Sequence, residues 1–294
     1  MGLSPRAART VRALAVALAL LAGAAGLPAQ APPAAEPPLL VYDFHLGGTP
    51  AENIAHVRSL GYSGLVTNVS NPSHLGRLEG YVRHARGLDD FRLLSYVVHD
   101  FDAPHAPGLW RQALPLLAGV DAPLWLIVRD APSTDAVRGL LEQVARHAET
   151  AGVPAVIYPH WSTSIETADE AAALIAQVGH PNLRNSIHTC HEIRGGLVDA
   201  LPAVARAHAA GSSLVAVAGA DRDAYTGPPS PFVSWEDAIK PLDRGDVDLA
   251  PFLQALRDAG YEGPVVLQTF GITNDPGHLR RSRSTYSDLV AALE

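Results

Sequence analysis

From residue 39 onward the chain alternates two patterns of hydrophobic position. Short apolar runs occur at LLVYDFH (39–45), GLVTNV (64–69), RLLSYVVH (92–99) and LWLIVR (124–129). They recur at AVIYPH (155–160), LRNSIHTC (183–190), SLVAVAG (213–219) and PVVLQTF (264–270). Their length and β-branched content predict eight buried parallel strands. Between them, apolar residues recur at the helical period. A helix over Pro50–Leu60 ends at Gly61, a C-cap signal. Ser133 caps a helix through Glu149, with Val137, Leu140, Leu141, Val144 and Ala148 on one face. Thr167 and Glu170 form a capping-box pair ahead of AAALIAQVG. A helix over Leu249–Ala259 ends at Gly260, and a last helix covers about 276–293.

Eight such units in about 255 residues predict an α/β fold, a single (β/α)8 TIM barrel over residues 39–294. The rival is a doubly wound sheet. No Gly-rich phosphate loop follows the first run, which disfavours it. No break in composition divides the barrel.

The first residues follow another pattern. Arg6, Arg9 and Arg12 precede an apolar stretch at 13–27, and small residues follow, with Ala29-Gln30-Ala31 a candidate cleavage site. This predicts a secretory signal peptide at 1–31, a Pro-rich linker at 32–38 and a periplasmic or secreted protein. A retained signal anchor is the alternative. No later segment is apolar over the length that spans a bilayer, so no membrane contact is expected once the signal is cleaved.

The chain has 294 residues, 47% hydrophobic and 18% charged, which fits a globular protein and excludes disorder. Its single cysteine, Cys190, excludes an internal disulfide and a Cys-based zinc module. Cys190 is read as a small buried apolar residue. Cleavage after residue 31 removes three Arg and no acid, leaving 19 basic and 30 acidic residues, a net charge of −11. Such a surface repels phosphate backbones, so no nucleic-acid partner is expected.

Active sites of this architecture lie at the C-terminal strand ends. There the sequence places Asp43, His45, Asn68, His99, Asp100, Arg129, Asp130, Tyr158, His160, His188, His191, Glu192, Asp221, Asp223 and Gln268. Ionisable groups collected at one rim of otherwise apolar strands are the functional signal, because a structural core has no use for them. The period of two puts Tyr158, His160 and Gln268 on inward faces. His188 and His191 both point inward only if the chain bends near Cys190. Such a set suits a divalent metal. Each isolated His has the alternative of a hydrogen-bonded rim residue. Tyr158 either binds substrate or packs, and Asp221 either caps a loop or touches substrate. Lys240, the only lysine, is a further substrate-contact candidate.

The segments NSIHTCHEI, VAVAGAD, GYSGLVTNV and WEDAIKPLDRGDVDLAPFLQALRDAGYEGPVVLQTFGI resemble the sugar phosphate isomerase/epimerase family, within the xylose-isomerase-like barrel superfamily. The resemblance implies a divalent metal (Zn, Mn or Mg) held by Glu, Asp, His and Glu from strands five to eight. It implies proton transfer between adjacent sugar carbons. The four ligand positions fall on Tyr158, His188, Ala218 and Gln268, and the substrate-binding His matches His191. The usual ligand set is therefore altered, and neither Tyr nor an amide is a general base at neutral pH.

The sequence thus predicts an exported isomerase, epimerase or lyase/hydratase acting on a small-molecule carbohydrate by proton transfer next to a carbonyl. His191 and His160 are the candidate catalytic residues. His160, His188, His191 and Gln268 are the candidate metal set. Tyr158, His45, Asn68, His99, Arg129, Asp221 and Lys240 are the candidate substrate contacts. The alternatives are a non-catalytic sugar-binding barrel and a hydrolase using the His-rich rim.

Overall fold

The structure is a computed structural model that describes residues 36–103, 108–224, 235–272, 275 and 277–293. The strands are β1 (Leu39–Tyr42), β2 (Gly64–Val69), β3 (Arg92–Asp100), β4 (Leu124–Arg129), β5 (Ala155–Ile157), β6 (Leu183–His188), β7 (Ser212–Val217) and β8 (Val265–Leu267). They pair in sequence order, all parallel, and β1 closes on β8. The connecting helices are α1 (Pro50–Ser59), α2 (Ser73–Ala85), α3 (Leu109–Ala118), α4 (Thr134–Thr150), α5 (Ala168–Val178), α6 (Thr189–Arg194), α7 (Leu201–His208), α8 (Trp235–Ala238), α9 (Ala250–Asp258) and α10 (His278–Ala291). This is the expected (β/α)8 barrel.

The alternation of strand side chains sorts the core into two layers. Leu39, Val41, Leu65, Val97, Leu126, Ile157, Val215 and Leu267 pack outward against the helices. Leu40, Tyr42, Val66, Leu94, Tyr96, Trp125, Val156, Tyr158, Leu214 and Val266 fill the interior. Fully burying one such aliphatic side chain contributes about 1.5–3 kcal/mol. Gly64 has to be glycine, because a Cβ there would lie 2.2 Å from the Arg92 carbonyl and 2.7 Å from Leu40.

The helix caps follow the sequence with one variation. Ser133 accepts from the Ala136 amide and Thr167 accepts from the Glu170 amide. The Glu170 carboxylate accepts from the Glu166 amide at 2.7 Å, one residue before the position that a closed capping box requires. A complete box closes at Thr49 and Glu52, at the start of α1. Helices α2, α3, α7 and the short α8 are additional to those expected.

Strands β5 and β8 stop three residues short of the predicted ends. The run LRNSIHTC turns from strand to helix after His188, which is the bend expected near Cys190. The predicted signal peptide, 1–31, lies outside the described residues, as does the linker up to residue 35. Pro37 and Pro38 accept hydrogen bonds from Tyr286 and the Val265 amide, so that end of the linker is tied to the barrel. Among the described residues, no helix is long and apolar enough to cross a membrane.

Candidate active site

A cavity of about 370 Å³ opens at the C-terminal mouth of the barrel. Its polar side chains are Tyr158, His160, His191, Gln268, Arg129, Ser162 and Thr163, and its aromatic walls come from Phe44, Tyr96, Trp161, Trp235 and Phe270. No Asp or Glu is among the described lining residues, and Arg129 is their one permanent cation.

The floor is a packed aromatic cluster. The Tyr158 ring packs against Trp125, at 4.5 Å and 23°, and against His188, at 3.8 Å and 17°, and those two rings also meet each other at 4.8 Å. Tyr96 meets it edge-on. The Tyr42 hydroxyl donates to the Tyr158 oxygen at 3.1 Å, and Gln268 Nε2 donates to it at 3.3 Å. Gln268 Oε1 accepts from the Thr269 and Phe270 amides at 2.9 and 3.0 Å, which fixes the amide's orientation. Burial raises the Tyr158 and Tyr42 hydroxyls well above the ordinary phenol range, so both stay protonated.

Three imidazoles cluster against this floor. The rings of His160 and His191 lie 4.1 Å apart, and those of His188 and His191 lie 5.3 Å apart. The Nδ1 of His160 contacts the Trp161 carbonyl at 2.8 Å. A carbonyl only accepts, so Nδ1 carries the proton and Nε2 keeps its lone pair. Burial, helped by the Arg129 charge and opposed by that hydrogen bond, lowers the pKa of His160 to about 4. Burial also lowers His188 and His191 well below the usual imidazole range. All three are neutral at pH 7. Both ring nitrogens of His188 and of His191 are buried without a hydrogen-bond partner. Leaving such a group unsatisfied costs about 1–3 kcal/mol.

The expected set of His160, His188, His191 and Gln268 is not gathered into a metal site among the described residues, and the positions that the resemblance implies fare no better. Gln268 spends its carbonyl oxygen on two backbone amides. Tyr158 is a phenol that keeps its proton. Ala218 offers no donor atom, and it is buried. Imidazole lone pairs lie in the ring plane, and His188 lies flat against Tyr158, so it does not aim at the position Tyr158 occupies. Among the described residues, no three His, Cys, Asp or Glu side chains are placed to hold a metal ion. The four positions that the resemblance implies, Tyr158, His188, Ala218 and Gln268, do not fit a divalent metal.

Five of the seven expected substrate contacts lie off the cavity. His45 is exposed in the loop after β1, at φ 65°. Asn68 receives a hydrogen bond from Arg77. His99 is buried against Phe101. Asp221 and Lys240 form an ion pair with each other beside the Gly219–Lys240 bridge. Tyr158 and Arg129 remain. Phe44 and Phe270 continue the inward faces of strands one and eight, and Trp161 enters from the turn after strand five; none is ionisable, so the sequence signal did not single them out. It missed Trp235 as well. Arg194, buried in α6, stacks its guanidinium over Trp161 at 4.1 Å and Trp235 at 4.8 Å. Cys190 is buried and its thiol is pushed up to about 12, as a packing residue would be.

The sequence model of the xylose isomerase-like TIM barrel family matches residues 102–288. No curated protein matches the chain. Among solved structures, D-psicose 3-epimerase with D-tagatose from Clostridium cellulolyticum H10 superposes with a TM-score of 0.65 at 17% identity, covering 87% of this chain and 99% of that one. The IolI protein with a bound zinc atom gives 0.66 at 14%, covering 87% and 99%. The 3-keto-D-glucoside 4-epimerase from E. coli gives 0.64 at 14%, covering 85% and 98%. At these identities the likeness is one of fold.

Proposed function

This chain belongs to the xylose isomerase-like TIM barrel family, and we propose that it is an enzyme that moves a proton at a sugar carbon next to a carbonyl. The observation that carries the reading is the state of His160. Its Nδ1–H is tied to the Trp161 carbonyl, so a neutral Nε2 is left as a base in an aromatic-walled cavity. The aromatic walls suit the apolar faces of a sugar ring. The neutral imidazoles and the Tyr158 hydroxyl suit its oxygens.

The chemistry that needs only one base is elimination from a keto-sugar. His160 Nε2 takes the proton from the carbon next to the carbonyl. The C–H electron pair becomes a C=C bond as the carbonyl pair moves to oxygen. The enolate then expels the oxygen substituent one carbon further on, which leaves with the proton as water or an alcohol. Epimerisation needs a second acid–base group on the opposite face. Tyr158 and Gln268 stand where the resemblance implies the family's carboxylates, and neither fills that role.

Incubation of the purified protein with keto-glycosides, followed by NMR, tests this. Loss of the α-C–H signal with release of the alcohol supports it. Binding without turnover supports the second reading, a sugar-binding barrel, which the amide and phenol at Gln268 and Tyr158 favour. The signal-peptide reading sets this chemistry outside the cytoplasm. Mass spectrometry of the protein from its host should then find a mature N-terminus between about residues 25 and 36.

A further inference from the structure

The floor of the cavity holds a hydrogen-bond donor whose aim is determined. Two backbone amides fix the Gln268 side chain, so its NH₂ faces the Tyr158 oxygen. The Tyr42 hydroxyl donates to that oxygen too. Both lone pairs of the phenol are then engaged, and its own proton is left for a partner in the cavity that Tyr158 lines. A hydroxyl that accepts two hydrogen bonds is a stronger donor than an isolated one. The ring is packed against Trp125, His188 and the edge of Tyr96, and its oxygen is held by Tyr42 and Gln268, so the donor is in place before charge develops in front of it.

We propose that Tyr158 is a catalytic residue that replaces the family's metal: its O–H hydrogen-bonds the substrate carbonyl and stabilises the enolate oxygen. The assignment rests on the proton-transfer reading above. His160 Nε2 accepts the α-proton, the C–H pair forms the C=C bond, and the carbonyl pair becomes a lone pair on oxygen. Tyr158 holds that oxygen through its hydrogen and keeps its proton throughout, as the high pKa of the buried phenol requires. No oxidant or co-reactant enters. Gln268 and Tyr42 are positioning residues that act through the phenol oxygen.

The test uses the purified protein and a methyl 3-keto-glucoside carrying ¹³C at its carbonyl, with two readouts. The first is the infrared stretch of the bound carbonyl. It should move to lower frequency on the wild type and return toward its value in water on Tyr158→Phe. The second is exchange of the α-proton in D₂O. Tyr158→Phe should slow it about 10²–10³-fold, the usual effect of losing one oxyanion donor, while the KM changes far less. Gln268→Met keeps the hydroxyl and loses its orientation, so it should slow exchange by a smaller factor with the same split.

A shifted carbonyl without any exchange removes the role of His160 and leaves the donor standing. Exchange at the wild-type rate in Tyr158→Phe, or an unshifted carbonyl, overturns the donor and leaves the base. Exchange that stops with EDTA and returns with Zn²⁺ overturns the replacement of the metal. A keto-sugar that does not bind at all overturns both assignments.

Discussion

His188 lies flat on Tyr158, with ring centroids 3.8 Å apart and planes 17° from parallel. In the resemblance, the two positions are metal ligands on neighbouring strands. Here they are adjacent plates in an aromatic cluster that Trp125 completes, 4.5 Å from Tyr158 and 4.8 Å from His188. A stacked imidazole turns its π face to its neighbour and its lone pairs elsewhere. His188 therefore serves the site by packing.

A substitution that keeps the plate should then be tolerated. His188→Phe removes two buried nitrogens that have no partner, a gain of about 1–3 kcal/mol. It adds some overpacking, a loss of similar size. Urea unfolding should place the variant within about 1 kcal/mol of the wild type. A loss of more than about 3 kcal/mol means that the His188 nitrogens hold something essential.

Glu192 gives the molecule a pH-dependent stability. Its Oε1 accepts from the Ala168 amide at the start of α5, its Oε2 has no partner, and burial raises its pKa to about 7. The folded carboxyl binds its proton more tightly than the unfolded one. Its contribution is therefore full below the unfolded value near 4.5, fades as pH rises, and is gone above about 7. Glu192→Gln keeps the acceptor oxygen and removes the titration. Relative to the variant, the wild type should lose stability between pH 5 and 8, by an amount on the order of 3 kcal/mol. Parallel Tm–pH curves for the two proteins contradict this.

The acid limb of activity should lie unusually low. His160 must be neutral to accept a proton, and its pKa is about 4. A kcat/KM profile should stay flat from neutral pH down to about 5 and fall below that. Burial does most to hold this value down, and the Arg129 charge adds to it. Arg129→Gln should therefore move the limb to higher pH. A limb at the ordinary imidazole value, unmoved in the variant, assigns the base elsewhere.

Arg194 ties two walls of the cavity together through its planar guanidinium. Lysine keeps the charge and loses the stacking surface. Arg194→Lys should weaken sugar binding about 5- to 30-fold by calorimetry, the scale of a desolvated cation–π contact. An unchanged affinity means that the two tryptophans do not need the clamp.

The sequence was a good guide to what repeats. Eight apolar runs with period two put Tyr158, His160 and Gln268 on the inward face, and the barrel followed. The turn after His188 was visible as a demand that both His188 and His191 face inward. The site's chemistry was less legible. His45, Asn68, His99, Asp221 and Lys240 all sit near strand ends, but burial, an exposed loop or a local ion pair keeps them from the cavity. Nothing in single-residue identity announces those partners. The aromatic walls were overlooked because Phe44, Trp161 and Phe270 read as ordinary apolar residues until the barrel closes around one mouth. The metal set failed on orientation, which a strand pattern does not carry.

Proton transfer at the barrel mouth is the central claim, and hydrogen exchange reads it most directly. A methyl 3-keto-glucoside in D₂O, followed by ¹H NMR, should lose its α-C–H signal with the wild type. His160→Ala should slow that loss by about 10²–10⁴-fold, the usual worth of a positioned base. His84→Ala, on the exposed face of α2, should leave it unchanged. If the wild type binds the sugar and exchanges nothing, or if His160→Ala exchanges as fast as the wild type, the account is contradicted.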